Sequence, residues 1–261
     1  MNTEKVATYI ISWLKEYAEN AKVKGFVVGV SGGIDSALVS MLCAKTGFPT
    51  LCVEMPIHQA DSQVTRAEEH IKQLKENFSN VSEVRVNLTS TFEDFKNIVP
   101  ETAPSAKVDL SLANTRARLR MTTLYYFAGL HGSLVVGTGN KVEDFGVGFY
   151  TKYGDGGVDL SPIADLMKSE VYELAAYLKV PSSIQKAQPT DGLFGDSRTD
   201  EDQIGASYDE LEWAMKQEEG KNENNFTGRE QEVFKIYERL NRINQHKMIP
   251  IPLCEIPTDL R

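Results

Sequence analysis

A glycine- and serine-rich turn follows the first strongly apolar segment of the chain. The turn spans residues 31–36 with the sequence SGGIDS, and the apolar segment spans residues 26–30. Two adjacent glycines let successive backbone N–H groups converge on an anion, and the positive end of a following helix adds to that attraction. Ser31 and Ser36 offer hydroxyl donors, and Asp35 offers a hard oxygen ligand for Mg²⁺. The turn therefore predicts a site for phosphate groups and a magnesium ion, with an ordinary strand–turn–helix connection as the alternative.

Three arginines alternate with other residues in the segment 114–121, whose sequence is NTRARLRM. This spacing spreads Arg116, Arg118 and Arg120 around a helix, so they cannot all face one ligand. Because a guanidinium pairs with phosphate or carboxylate through two parallel N–H donors, we expect at least one to bind an anionic substrate. For two of the three, solvated surface charge is the favoured alternative.

The segment 149–159 has the sequence FYTKYGDGGVD, in which no regular strand or helix can form. Irregular loops inside a compact domain are often functional. Its aromatic faces are suited to a flat heterocycle, and Lys152 is suited to neutralise a carboxylate or a phosphate. A structural loop packed by its own aromatics is the alternative for the tyrosines.

Apolar periodicity predicts the elements that must position these residues. Strands are predicted at 26–30, 50–55, 83–88 and 133–136, and helices at 3–21, 36–45, 61–77, 112–129, 168–178, 207–217 and 228–245. Irregular segments are predicted at 89–111 and after residue 140, and a polar segment is predicted at 188–206. The alternation indicates an α/β protein with a doubly wound, mostly parallel sheet and helices on both faces.

Ligands of such sheets bind beyond the carboxyl ends of the strands. The turn at 31–36 and the Gly-Thr-Gly turn at 137–139 each follow a predicted strand. We therefore expect both turns to lie at one edge of the sheet and to contribute to one site.

Composition narrows the class of protein. The chain has 261 residues and a formal net charge of −9, which argues against nonspecific binding to nucleic acid or to an anionic membrane. Three widely spaced cysteines, Cys43, Cys52 and Cys254, indicate reduced thiols in a cytoplasmic protein. The N-terminus lacks the apolar region of a signal peptide, and no apolar run is long enough to span a bilayer. We expect residues 1–261 to form a single domain.

The motifs together resemble one enzyme family. SGGIDS is similar to the pyrophosphate-binding loop of the ATP pyrophosphatase superfamily, which has the adenine nucleotide alpha-hydrolase-like fold. With NTRARLRM, residues 137–143 (GTGNKVE) and residues 150–160 (YTKYGDGGVDL), it resembles ammonia-dependent NAD⁺ synthetase. The resemblance continues through residues 162–168, 189–191 and 246–247, and so covers nearly the whole chain.

The resemblance implies ATP-dependent amidation of deamido-NAD⁺ to NAD⁺, the last step of NAD⁺ biosynthesis. The nitrogen comes from free ammonia, since the chain has no room for a glutaminase domain. An adenylated intermediate forms, and AMP and pyrophosphate leave. Mg²⁺ is the implied cofactor and ATP the co-substrate. The family also implies a homodimer whose deamido-NAD⁺ site draws on both subunits.

The resemblance also implies roles for particular residues. ATP would contact Gly29, Val30, Ser31, Gly32, Gly33, Ile34, Asp35, Ser36, Thr138, Lys168 and Thr190. Deamido-NAD⁺ would contact Asn114, Arg118, Lys152, Asp159, His246 and Lys247. Mg²⁺ would be held by Asp35 and Glu143. The catalytic residues would be Asp35, Lys152, Asp155 and Lys168, with Asp155 holding the incoming ammonium or taking up its proton. Solvated charge is the alternative for Lys168, His246 and Lys247, and a turn cap for Thr138.

Two departures from the family leave questions open. Glu54 stands where many members carry an ATP-contacting arginine. One extra residue between Glu143 and Phe149 leaves open whether Glu143 or Asp144 meets the metal.

Residues 190–203 have the composition of a lid that orders over ATP. The rival functions are GMP synthetase, asparagine synthetase, a tRNA-modifying ligase, and a nucleotide-binding regulatory module without catalysis.

Overall fold

The computed structural model describes residues 1–100, 102–190, 199–220 and 226–261. Within these ranges, four parallel strands form one sheet in the order β3-β2-β1-β4. The strands are β1 (Phe26–Gly29), β2 (Thr50–Glu54), β3 (Val81–Arg85) and β4 (Leu134–Val135). Phe26 of β1 lies opposite Thr50 on one side and Leu134 on the other. The predicted parallel α/β sheet is therefore confirmed.

Ten α-helices surround this sheet in the described part of the chain. They are α1 (Thr3–Ala21), α2 (Ile34–Lys45), α3 (Asp61–Asn77), α4 (Thr89–Ile98), α5 (Ala106–His131), α6 (Lys168–Tyr177), α7 (Ser182–Gln185), α8 (Asp200–Ile204), α9 (Tyr208–Glu219) and α10 (Gly228–Met248). A π-helix spans Val142–Val147, and a short 3₁₀ turn spans Thr258–Leu260.

The sheet buries both of its faces because successive strand residues point to opposite sides. On β1, Phe26 and Val28 pack into a core shared with α1, α2 and α6. Val27 faces the other way and packs with Ala128 of α5 and Phe92 of α4. Helices therefore cover both faces, as the apolar strand segments predict.

A second hydrophobic cluster lies beyond the sheet. Val142 and Val147 of the π-helix pack there against Leu211 of α9 and Val233 of α10. The close approach requires a glycine, because a Cβ atom on Gly146 would lie 2.8 Å from Sδ of Met215. This cluster fixes the π-helix, and with it two carboxylates of the candidate site.

The structure corrects several predicted boundaries. The segment 89–111 contains α4 and the start of α5, which the sequence did not predict because Phe92 is the one buried residue of α4. The strand predicted at 83–88 ends at Arg85. Leu88 still donates its N–H to Pro56 O, but Pro56 has no N–H to return, so the ladder stops. Of the proposed lid at 190–203, residues 191–198 lie outside the described residues.

Cys43 and Cys52 are buried, Cys254 is exposed, and all three are free thiols, as expected. In the ranges that the structure describes, no helix combines the length and the apolar character needed to cross a membrane.

Candidate active site

A pocket opens at the carboxyl edge of the sheet, where the turns after β1 and β4 meet. The described residues predicted to contact ATP all line it. They are Gly29, Val30, Ser31, Gly32, Gly33, Ile34, Asp35, Ser36, Thr138, Lys168 and Thr190. The expectation that the two turns contribute to one site is therefore met by the geometry.

The turn at 31–36 is held in shape by its own serines. Ser36 Oγ donates to Gly33 O at 3.0 Å, and Ser31 Oγ accepts from Gly33 N at 3.2 Å. Gly32 has a φ of +81°, and a Cβ atom there would lie 2.4 Å from Gln63 O of α3. The sequence assigned both hydroxyls to the ligand, whereas in this conformation the Ser36 hydroxyl proton is used inside the turn.

A buried lysine joins two carboxylates beside this turn. Lys168 Nζ lies 2.7 Å from Asp35 Oδ2 and 2.9 Å from Glu143 Oε1. Burial alone would lower the pKa of Lys168, but the two carboxylates outweigh it and hold that pKa above its ordinary value. The lysine is 3% exposed, so the alternative of a solvated charge in the first turn of α6 is wrong.

Two residues that the sequence did not single out orient these carboxylates. Asn140 Nδ2 donates to Asp35 Oδ1 at 3.0 Å, and Asn140 Oδ1 accepts from Glu143 N at 3.1 Å. Tyr208 Oη donates to Glu143 Oε1 at 2.6 Å, and Lys168 Nζ lies 4.7 Å from the centre of its ring. Asn140 lies inside the quoted 137–143 motif and could have been found there. Tyr208 begins α9 and looks in sequence like an ordinary core aromatic.

Two more carboxylates line the same pocket. Burial, with Glu143, Asp155 and Asp35 nearby, raises the pKa of Asp144 to about 8. Asp155 retains exposed surface, yet partial loss of hydration in the pocket wall, with Glu143 nearby, raises its pKa to about 6. Among the described residues, four carboxyl groups and Lys168 thus line the same pocket, and a pKa of about 8 leaves Asp144 protonated at neutral pH.

This donor set fits a magnesium ion that is bound jointly with a substrate. Mg²⁺ prefers oxygen ligands and is usually bound by one or two carboxylates together with substrate phosphates. Asp35 and Glu143 supply the carboxylates, and Asp144 stands beside them. Among the described residues, no cluster of three or more acidic, histidine or cysteine side chains is arranged as a complete metal site. Phosphate oxygens would therefore have to complete the coordination.

The loop at 149–159 packs onto α5 and lines the pocket with several residues, of which Asp155 is the charged one. Thr151 Oγ1 donates to Asn114 Oδ1 at 2.6 Å, and Thr151 N donates to Asp155 Oδ1 at 3.0 Å. A Cβ atom on Gly154 would lie 2.8 Å from Cβ of Ala117, so the loop and the helix need a glycine at their contact. Asn114 therefore helps to place the Asp155 carboxylate.

Several residues predicted to bind deamido-NAD⁺ form a cationic group beside this loop. Lys152 Nζ donates to His246 O, and Arg118 Nη2 donates to Lys152 O at 3.3 Å. Lys247 Nζ donates to the carbonyls of Gly148 and Tyr150, both at 2.7 Å. These cations adjoin the pocket without lining it.

Asp159 has different partners from this cationic group. It accepts hydrogen bonds from Val135 N at 2.8 Å and from Tyr125 Oη at 2.9 Å. Those contacts tie the end of the 149–159 loop to β4. The predicted contact of Asp159 with deamido-NAD⁺ stays a prediction.

The other two arginines of the 114–121 segment are not solvated surface charges, so the favoured alternative for them is wrong. Arg116 stacks 4.6 Å above the ring of Phe92, and Arg120 Nε donates to Met55 O at 3.0 Å. Because α5 is covered by α4, by the strand ends and by the 149–159 loop, both arginines are half-buried. Arg118 alone of the three is exposed.

Comparison with known proteins decides the family. A family model described as NAD synthase matches residues 6–250. The chain is 39% identical over 250 residues to an NH₃-dependent NAD⁺ synthetase of Mesoplasma florum, and the match covers 95% of each chain. A synthetase of the same description from Carboxydothermus hydrogenoformans is 36% identical over 249 residues, with 95% of this chain and 96% of the relative covered.

This chain belongs to the NAD synthase family.

Solved structures of the family share the fold over the whole chain. An NMN synthetase from Francisella tularensis superposes with a TM-score of 0.83 at 29% identity and covers 99% of both chains. An NH₃-dependent NAD synthetase from Campylobacter jejuni, solved in complex with the nitrate ion, has a TM-score of 0.78 at 26% identity. It covers 98% of this chain and 100% of its own.

Membership of the NAD synthase family confirms the predicted activity. The enzyme is a C–N ligase of the ammonia-dependent NAD⁺ synthetase type, which acts at the final step of NAD⁺ biosynthesis with ATP as co-substrate. AMP and pyrophosphate, released through an adenylated intermediate, follow from the family. GMP synthetase, asparagine synthetase, a tRNA-modifying ligase and a non-catalytic module receive no support from these matches.

Glu54 remains a departure from the family pattern in the structure. It ends β2, lines the pocket and lies opposite Arg85 in the sheet. Burial raises the pKa of Glu54, although Arg85 acts in the opposite direction. At the position where the resemblance implies an arginine, this chain therefore brings a carboxyl group to the pocket wall.

Proposed function

We propose that this NAD synthase binds ATP in the pocket at the 31–36 turn and activates the nicotinate carboxylate of deamido-NAD⁺ there. One observation carries the assignment of roles. It is the pairing of Lys168 with both Asp35 and Glu143 at the end of the glycine turn. A fixed cation, two carboxylates and converging backbone N–H groups are the parts that phosphoryl transfer requires.

In the first step the nicotinate carboxylate attacks the α-phosphorus of ATP, and pyrophosphate leaves. Negative charge builds up on the departing phosphates. Ser31 N and Gly33 N donate to serine hydroxyls within the 31–36 turn. The other N–H groups of the turn and the ammonium group of Lys168 would stabilise that charge. Mg²⁺, held by Asp35 and Glu143, would neutralise phosphate charge when bound.

In the second step ammonia attacks the adenylated carbonyl, AMP leaves and NAD⁺ forms. Asp155 lies in the pocket wall, and its pKa of about 6 makes it an ionised carboxylate at neutral pH. It can therefore hold an ammonium ion and take up its proton as the C–N bond forms. The adjoining side chains of Arg118, Lys152 and Lys247 are cations, and together with His246 they suit the pyrophosphate and the carboxylate of deamido-NAD⁺. We assign the contact with the reacting carboxylate to Lys152.

The remaining expectations belong to the same proposal. We treat residues 1–261 as a single catalytic domain that acts as a homodimer in the cytoplasm. The three free cysteines support a reducing compartment. Exposed aromatic and aliphatic side chains on α5 support an interface with a second copy, because apolar surface of this kind is typical of subunit contacts.

A direct assay tests the proposal. The protein is incubated with Mg-ATP, ammonium and deamido-NAD⁺, and the products are separated. NAD⁺, AMP and pyrophosphate in equal amounts are expected, and ADP in place of AMP would contradict it. Glutamine supplied without ammonium should give far slower turnover, and equal turnover would overturn the choice of nitrogen source.

A second substrate is suggested by the Francisella tularensis structure, which is described as an NMN synthetase and matches over the full length of both chains. The same ligase chemistry on nicotinate mononucleotide would yield NMN. Measuring kcat/KM for nicotinate mononucleotide and deamido-NAD⁺ in parallel decides between them. A ratio of at least about tenfold in favour of deamido-NAD⁺, equivalent to ~1.4 kcal/mol, is expected. The opposite ratio would assign the mononucleotide.

A further inference from the structure

Arg66 lies in the second turn of α3 and lines the nucleotide pocket. Its Nε donates to Gly32 O at 3.2 Å. The backbone of α3 presses on the same glycine, since a Cβ atom on Gly32 would lie 2.4 Å from Gln63 O and 3.2 Å from Ala67 N. The guanidinium is thus fixed against the phosphate turn from a third element, outside the residues that the motifs identify.

The other cations of the pocket wall are already engaged. Lys168 is bonded to Asp35 and Glu143. Arg120 donates to Met55 O and to Gln59 Oε1.

Arg85 Nη1 lies 2.5 Å from Glu68 Oε1. By contrast, in the part of the chain that the structure describes, no carboxylate forms an ion pair with Arg66. A guanidinium has five N–H donors, and the bond to Gly32 uses one of them.

The pocket needs such a cation to hold a polyanion. Among the described residues, the carboxylates of Asp35, Glu54, Glu143, Asp155 and Asp200 line it, together with the carboxyl group of Asp144, whose pKa of about 8 leaves it protonated at neutral pH. Part of the turn's own donor capacity is used internally, because Gly33 N donates to Ser31 Oγ. A triphosphate therefore meets an excess of negative charge unless a free guanidinium offsets it.

We propose that Arg66 binds the polyphosphate of ATP, and the pyrophosphate it becomes, through its remaining N–H donors. This inference rests on the proposed function in one respect, which is that the 31–36 turn binds a triphosphate.

Two substitutions of Arg66 distinguish phosphate binding from a purely structural role. Arg66→Gln removes the charge but keeps a side-chain N–H group for Gly32 O. Arg66→Lys keeps the charge but loses the planar Nε donor. If Arg66 binds phosphate, the glutamine variant is the weaker binder. If Arg66 only braces Gly32, the lysine variant is at least as damaged, and thermal unfolding shifts in step with binding.

The experiment titrates the full-length protein with Mg-ATP and separately with inorganic pyrophosphate in a calorimeter. Arg66→Gln should weaken both by roughly tenfold or more, because a charge-assisted guanidinium–phosphate contact is lost. Arg66→Lys should stay within about threefold of the wild type, since the positive charge persists. The KM for deamido-NAD⁺ should not change in either variant.

Lys72→Gln is the matched control, because it makes the same charge change on α3 at a side chain that is 77% exposed. It should bind like the wild type. Unchanged pyrophosphate binding in Arg66→Gln would overturn the role of Arg66 but not the proposed function. A wild-type protein that binds deamido-NAD⁺ but neither ATP nor pyrophosphate would overturn the proposed function itself. Equal losses in both Arg66 variants with lowered melting temperatures would assign a bracing role instead.

Discussion

Lys168 is the residue on which the geometry of the candidate site converges. It is buried, it contacts Asp35 and Glu143, and its ammonium group lies over the ring of Tyr208. A buried cation between two carboxylates stabilises little by itself, because desolvation offsets most of the attraction. Removing Lys168 is nevertheless expected to be strongly destabilising, because both carboxylates would then stay buried without a counter-charge.

Lys168→Met should therefore damage both stability and catalysis. We expect the free energy of unfolding to fall by about 3–5 kcal/mol, the usual result of removing one partner of a buried ion pair. Pyrophosphate release should slow by at least ~100-fold, since a fixed cation beside the departing phosphates is lost. Denaturant titration and a pyrophosphate assay measure the two effects.

The control for Lys168 is Lys141→Met. Lys141 Nζ lies 3.2 Å from Glu219 and 3.7 Å from Asp165, and both carboxylates are largely exposed. Surface pairs of this kind contribute less than about 1 kcal/mol, so this variant should unfold much as the wild type does. Equal pyrophosphate release by wild type and Lys168→Met would contradict the assigned role.

The raised pKa of Asp155 predicts how activity depends on pH. Its pKa is raised from 3.8 to about 6, so the carboxylate form that takes up a proton from ammonium disappears below pH 6. The kcat of the second step should fall as the pH drops through about 6, and Asp155→Asn should be slow at every pH without that inflection. Asp165→Asn, at a side chain that is 99% exposed, should keep the wild-type profile.

The raised pKa of Asp155 also makes the free energy of unfolding depend on pH. The folded state binds more protons than the unfolded state between the ordinary pKa of 3.8 and the raised value of about 6. The stability contribution of Asp155 is therefore complete below the lower value and is lost as the pH rises through the upper one. Asp155→Asn should remove this pH dependence from denaturant midpoints, and a wild-type dependence that survives in the variant would refute the assignment.

At the scale of elements, the sequence specified most of what positions the site. Helix α1 and helix α3 begin and end where apolar periodicity predicts, and β1 and β2 differ by one residue at their ends. These segments have strong local patterns. Helix α4 and the π-helix at Val142–Val147 were missed, because α4 buries one residue and the π-helix is stabilised by distant packing on α9 and α10.

The site itself was predictable where the chemistry lies in a contiguous motif. The 31–36 turn, Lys168 and Asp155 line one pocket, and the roles that the resemblance implies for them stay predictions. Tyr208 and Arg66 were not predictable, because each reaches the site from a helix whose sequence shows no phosphate signature. Their roles depend on how α9 and α3 pack, which is a tertiary property.

The contact between α3 and the phosphate turn predicts the effect of one substitution. Gly32→Ala places a Cβ atom 2.4 Å from a backbone oxygen at a φ of +81°, so the turn must move away from α3. Gly47→Ala is a matched control, with a φ of +82° and no atom within 4 Å of the new Cβ. The control should lose about 1 kcal/mol for the left-handed backbone alone.

Gly32→Ala should lose at least about 1 kcal/mol more than the control, which denaturant titration resolves. It should also lose ATP binding, whereas Gly47→Ala should retain it. Similar losses of stability in both variants, with ATP binding kept, would show that α3 does not clamp the turn.

On the scale of the whole molecule, the pocket lies where three hydrophobic clusters meet. Val171 of α6 belongs to the cluster on one face of the sheet, Met55 after β2 to the cluster on the other face, and Met167 to the cluster around the π-helix. Lys168 lies between Met167 and Val171, so its position depends on the cluster around the π-helix and on the cluster that contains α6. Disturbing either cluster should therefore reach the site through the backbone at the start of α6.

The apolar surface of α5 is the contact that we propose with a second copy of the chain. Tyr126 and Leu130 lie one helical turn apart and are 65% and 62% exposed. A charged side chain in the middle of a subunit interface is strongly unfavourable, whereas the same change on a free surface has little effect. If α5 forms the proposed dimer contact, Tyr126→Glu should yield monomers in sedimentation velocity while the melting temperature of the separated chain stays close to that of the parent fold.

Helix α1 offers the competing surface, with Tyr9 72% exposed, and Tyr9→Glu is the matched variant. We expect Tyr9→Glu to sediment as the wild type does. Because the deamido-NAD⁺ site is proposed to draw on both subunits, the Tyr126→Glu monomer should show a raised KM for deamido-NAD⁺ with ATP binding retained. Dissociation by Tyr9→Glu alone would move the interface to α1, and a wild-type monomer with full activity would refute the dimer.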